Sequence, residues 1–137
     1  MSVSTNRAVF DAAISAWNAG NLPGYLEMYD PSILLHGYGP EPMTKPEVTG
    51  MYGGMFEAIG SITLLIDDVI ETDDRLAVRA RLTGTHDGPL FGVAATGRPI
   101  EQNVQTILRF VDGRCVERWS VADTLGLLYQ IGATSLP

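Results

Sequence analysis

The sequence predicts an α+β domain with helices packed on one face of a curved antiparallel sheet. Three observations point there. Helical stripes of apolar residues dominate the first 60 positions, the period changes to two from Ile62 onward, and the later strands follow one another through short connections. At 137 residues, 45% of them hydrophobic, the chain reads as a single domain over 1–137 with a core of its own.

The elements follow in order. Phe10, Ala13, Ile14 and Trp17 fall at i, i+3, i+4 and i+7 and predict a helix over 5–19, stopped by Gly20. Asn21 can cap a short helix over 22–29, with Pro23 in its first turn and Leu22, Tyr25, Leu26 and Tyr29 on one side. Residues 32–38 alternate as a short strand. Thr44-Lys-Pro-Glu47 is a capping box that opens a third helix, whose stripe is Val48, Met51, Tyr52, Met55, Phe56 and Ile59. Strands are then expected over 62–71, 75–86 and 100–111. Asp112-Gly113 is the strongest hairpin signal and joins the last of these to a strand over 114–122, followed by a short helix over 124–130.

Charge and motif content narrow the function. A net charge of −7 argues against nucleic acid, and the nine Lys and Arg are too scattered for an anionic membrane surface. The single cysteine, Cys115, precludes an internal disulfide and reads as a small buried hydrophobe. His36 and His86 stand fifty residues apart without a metal-ligand pattern. No phosphate loop, dinucleotide fingerprint or nucleophile elbow occurs, so neither metal nor cofactor is expected. The first residues lack the apolar core of a signal peptide and no run would span a membrane, which suggests a cytoplasmic protein.

The stretch with most chemistry in it is the last strand. Strict alternation puts Cys115, Glu117, Trp119, Val121 and Asp123 on one largely apolar face. Asp123 then has two compatible readings: N-cap of the following helix, or a carboxylate in an apolar pocket, with a raised pKa suited to general acid/base work. His86 extends the inward phase of Leu76, Val78, Ala80, Leu82 and Gly84, and reads as pocket-lining or as a loop-edge histidine. A two-residue Asp112-Gly113 loop would set Gln102 opposite Asp123, to orient it or a substrate carbonyl, unless Gln102 is a solvated strand end. His36 and Tyr38 share one face beside the third helix and could line a cavity mouth, His36 also serving as a structural histidine. Trp17, Tyr25, Met51, Tyr52, Met55 and Phe56 read as core that can also line a substrate cavity.

The segments Arg81-Leu-Thr-Gly-Thr-His-Asp-Gly88, Ala95-Thr-Gly97, Arg109 through Asp123 and Leu127-Leu-Tyr-Gln-Ile-Gly132 resemble the SnoaL-like polyketide cyclases and ester cyclases, of the nuclear transport factor 2-like superfamily. The resemblance implies a conical NTF2-like barrel with an internal pocket, usually a homodimer through its sheet. It also implies intramolecular aldol-type ring closure on a small hydrophobic ketone-bearing molecule, without cofactor or metal. The acid/base aspartate of the family's Trp-x-x-x-Asp motif falls on Asp123, with Trp119 four residues earlier, and the histidine of its Gly-Thr-His-x-Gly segment on His86. The rival readings are a small-molecule binding protein of the same fold without catalysis, or a same-fold isomerase or epoxide hydrolase.

Overall fold

The computed structural model describes residues 2–136. Helix α1 spans Ser2–Asn18 and α2 Leu22–Leu26; Asn21 caps α2 by accepting the Gly24 N–H. Strand β1, Tyr29–His36, begins three residues earlier than its alternation suggests and takes Tyr29 out of the helix. Helix α3, Lys45–Ala58, opens as its box predicts, with the Thr44 N–H and hydroxyl both donating to Glu47 Oε1. Its last residue runs directly into β2, Ile59–Glu71. Then come β3, Arg75–His86, β4, Pro99–Val111, β5, Arg114–Ala122, and helix α4, Thr124–Gln130.

The five strands form one sheet in the order β1-β5-β4-β3-β2. Three of its four pairings are antiparallel, while β1 runs parallel to β5. The curved, mostly antiparallel sheet is the one the sequence predicts, β1 being its one parallel member. This exception arises because β1 reaches the sheet edge through the helical segments rather than through a hairpin. Asp112 and Gly113 both have positive φ, 50° and 77°, the signature of the type I′ turn that matches strand twist.

The core lies between the helices and the sheet's inner face. Phe10, Ala13 and Trp17 of α1, Val48 and Tyr52 of α3, and Leu76, Val78, Ala80, Leu82, Leu108 and Phe110 of the sheet are buried there, as is Cys115. Burial pushes the Cys115 thiol up to about 11, so it stays protonated and acts as a small hydrophobe.

One irregularity decides what faces the interior. Phe110 pairs with Cys115, but Arg109 pairs with Glu117, leaving Val116 as an extra residue in β5. A one-residue bulge inverts every side chain beyond it. Beyond Val116, therefore, Arg118, Ser120 and Ala122 share the inner face with Leu108, Thr106 and Val104, and Glu117, Trp119 and Val121 turn outward.

Candidate functional site

The inversion places Arg118 inside the cone. Its Nε donates to Thr106 Oγ1 at 2.9 Å and Ser120 Oγ at 3.0 Å. Its Nη1 donates to Tyr29 OH at 2.6 Å, Tyr25 OH at 2.7 Å and Tyr52 OH at 3.5 Å. The guanidinium also lies 5.9 Å from the Tyr38 ring centre. The phenols bond one another: Tyr25 to Tyr29 at 3.2 Å, Tyr29 to Tyr52 at 2.7 Å, and Tyr52 to Tyr38 at 3.0 Å. Ser120 Oγ closes the chain, donating to Tyr38 OH at 3.4 Å. Burial, the largest influence, pushes Tyr29 and Tyr52 well above the usual tyrosine range, so both remain neutral hydroxyls.

These residues come from distant parts of the chain for local reasons. Tyr25 sits on the buried side of α2, Tyr29 at the start of β1, Tyr52 on the core stripe of α3, and Arg118 and Ser120 beyond the bulge. Around them the packing is aromatic. Trp17 meets Tyr25 and Tyr52 edge-on, with ring centres 4.9 and 5.3 Å apart, and Phe56 at 4.7 Å. The Trp17 Nε1–H is buried and donates to no protein atom.

The residues expected from the sequence divide between two faces. Trp17, Tyr52 and Phe56 surround this interior, and Tyr38 joins it through its hydroxyl. His86 is fully buried on the inner phase of β3. Its Nδ1 accepts the Thr96 N–H at 3.3 Å and lies 2.9 Å from Thr96 Oγ1, which puts the ring proton on Nε2, buried and without a protein acceptor. Gln102 is also buried on the inner face, but the bulge shifts the β4–β5 register by one residue, so that Asn103 rather than Gln102 meets Asp123.

His36 and Trp119 are on the outer face. They stack with ring centres 5.5 Å apart and planes 13° from parallel. His36 Nε2 donates to Glu117 Oε2 at 2.7 Å, and Arg109 Nη2 to Glu117 Oε1 at 3.1 Å. The His36 bond, then that of Arg109, holds the Glu117 carboxyl below the usual carboxylate range. A concavity of about 630 Å³ crosses this face, bounded by His36, Trp119 and Val121 on one side and by Asp68, Ile70 and Arg79 on the other.

Asp123 is on neither inner position. Alternation placed it in line with Trp119 on an inner face, and the bulge at Val116 removes that placement. It lies exposed where β5 ends, its N–H donating to the Asn103 carbonyl at 2.9 Å. Its Oδ1 accepts the Gly126 N–H at 2.9 Å and caps α4. Sequence reading missed Arg118, Tyr29, Thr106 and Ser120, and took Tyr25 as a core residue able to line a cavity. A usable signal was present: Tyr25 and Tyr29 lie in an apolar stripe, and buried phenols require hydrogen-bond partners.

Among the described residues no cluster of three His, Cys, Asp or Glu side chains is placed to hold a metal ion, and no helix is long and apolar enough to cross a membrane.

Comparison with known proteins brings the fold and the family together. AclR from Streptomyces galilaeus, named as a proposed hydroxylase, superposes with a TM-score of 0.90 at 28% identity, covering 98% of this chain and all of that one. IdmH from Streptomyces antibioticus, named as a proposed polyketide cyclase, gives 0.80 at 27% identity over 93% and 99% of the two chains. A SnoaL-like protein from Jannaschia sp. CCS1 shares the fold at 22% identity, with a TM-score of 0.81 over 98% and 96%. Comparison with the curated proteins finds no relative. The family described as SnoaL-like polyketide cyclase matches residues 7–131, nearly the whole chain. With its α+β cone and mixed, mostly antiparallel sheet of the NTF2-like type, this chain belongs to the SnoaL-like polyketide cyclase family.

Proposed function

We propose that the chain is a cofactor-independent cyclase-type enzyme that enolises a small, hydrophobic, ketone-bearing substrate by acid/base chemistry. The observation that carries this reading is the run of hydroxyls gathered on the inner face around Arg118, from Thr106 through Ser120, Tyr38 and Tyr52 to Tyr29. Hydroxyls of this kind can turn from one another to donate to a carbonyl oxygen, and they bind it more strongly as it becomes an enolate. In this scheme Asp123 removes the α-proton from the rim where β5 ends. His86, through its unpartnered Nε2–H, and Gln102 supply further donors on the inner face. AclR and IdmH are named for different reactions, so the shared fold does not choose the step.

One observation favours a second reading, small-molecule binding without catalysis: Asp123 is exposed and already engaged as a helix cap. The two readings separate on the Asp123→Asn variant, which abolishes turnover under the first and leaves ligand affinity intact under both.

Metal-independence belongs to the enzymatic reading. Added chelator is expected to leave α-proton exchange from a 1,3-diketone probe unchanged; loss of exchange, restored by a divalent ion, would reassign His36 and Glu117 as ligands.

A homodimer in the cytoplasm completes the proposal, with the outer sheet face as the interface. Ile70, Ile107 and Val121 are 68%, 42% and 76% exposed there, beside half-buried Trp119. An apolar patch of this kind on a sheet is commonly covered by a partner. The solution mass at micromolar concentration should be twice 14.8 kDa, and Val121→Glu should halve it. A wild-type protein of monomeric mass would remove the dimer.

A further inference from the structure

The interior cation has no counter-charge. Each protein atom that accepts a hydrogen bond from the Arg118 guanidinium belongs to a hydroxyl, of Thr106, Ser120, Tyr25, Tyr29 or Tyr52. None of the carboxylate ion pairs among the described residues includes it. Guanidinium does not deprotonate in proteins, so the charge persists. An ion drawn partly out of water and held only by neutral dipoles is costly, which makes an added counter-charge from a ligand favourable there.

The geometry also shows where a ligand would bind. Nε and Nη1 are taken up by the hydroxyls, while Nη2 has no acceptor among the described residues. Arg118 as a residue is half-buried. The five hydroxyls orient the guanidinium plane, and the rings of Tyr25 and Tyr52 that carry two of them pack edge-on against each other and against Trp17. Charge, fixed orientation and an open donor edge together describe a receptor for a planar oxyanion.

We propose that Arg118, oriented by Tyr25, Tyr29, Tyr52, Thr106 and Ser120, is an oxyanion-binding subsite that takes the carboxylate or ionised phenol or enol of a small, flat, mostly apolar ligand. Binding there is separate from proton removal by Asp123 and stands whether or not the chain is a catalyst. It also inverts the usual expectation for a buried, multiply bonded arginine. Removing an uncompensated cation relieves the ligand-free fold, so Arg118→Met should be at least as stable as wild type.

The test uses the whole protein with 2-naphthoate, its neutral counterpart 2-naphthamide, and 4-nitrophenol titrated above and below its pKa. By calorimetry, 2-naphthoate should bind wild type roughly tenfold or more tightly than the amide, the size of one charge-assisted bond pair. Arg118→Met should bind both alike, with a thermal midpoint equal to or above wild type. Arg118→Lys should keep part of the preference, because the charge remains without the fork. Preference for 4-nitrophenolate over 4-nitrophenol would identify the ionised hydroxyl as the ligand group, and its absence alongside carboxylate binding would identify the acid. Equal affinity of wild type for 2-naphthoate and 2-naphthamide, together with no preference for the phenolate, would overturn the proposal. So would a marked fall in the midpoint of Arg118→Met, which would make Arg118 a structural hub. Should Arg118→Met fail to fold, that result counts against the proposal as well, and the wild-type comparison of acid with amide still measures the subsite directly.

Discussion

Asp123→Asn is expected to lower turnover by about 10²–10⁴-fold, the contribution of a positioned general base, while the unfolding midpoint stays near wild type. The cap explains the second half. Oδ1 accepts the Gly126 N–H, and an asparagine carbonyl at the same place accepts it equally. Asp123→Ala should lose both activity and the cap, the cap being worth about 1 kcal/mol. The pair of variants therefore separates chemistry from structure. An Asn variant that turns over at the wild-type rate would leave Asp123 as a cap alone and favour the binding-only reading.

The second large effect is on the fold. Gly37, at φ 91°, follows β1 where that strand passes β5. A Cβ on it would run into the backbone carbonyl oxygen of Ser120, an atom fixed within the sheet that cannot swing away. Positive φ adds strain for any L side chain. Gly37→Ala should thus cost about 3–4 kcal/mol in denaturant unfolding, in the range that requires a named steric cause. The damage should also reach the interior, since Ser120 Oγ bonds Thr106 and Tyr38 there. A loss below about 1 kcal/mol would mean that the β1–β5 crossing is looser than this packing implies.

Much of the fold is legible in the sequence because its elements carry regular periods. The α1 stripe from Phe10 to Trp17, the Thr44–Glu47 box and the Asp112-Gly113 turn all produce the local structure their chemistry requires. The inward phase of β3 holds from Leu76 to His86, through Gly84. The site was less legible, for one reason: Val116. Alternation is a rule about unbroken strands, and a single inserted residue reverses it without any glycine or proline to announce it. Trp119 and Asp123 were read inward on that rule. Arg118, the neighbour that does face inward, was passed over because a charged residue on a strand ordinarily marks the solvated side. The parallel pairing of β1 with β5 was hidden similarly, since pairing between distant strands leaves no local pattern.

The enolisation reading has a direct test that needs no natural substrate. The protein is incubated in deuterated buffer with a simple aromatic 1,3-diketone, with chelator present, and loss of the α-proton signal is followed by nuclear magnetic resonance. Wild type should exchange the α-proton well above the buffer rate, Asp123→Asn should fall about 10²–10⁴-fold toward that rate, and Asp123→Gly should not recover it. Exchange at the buffer rate with wild-type protein shown to bind the diketone, or exchange undiminished in Asp123→Asn, would contradict it.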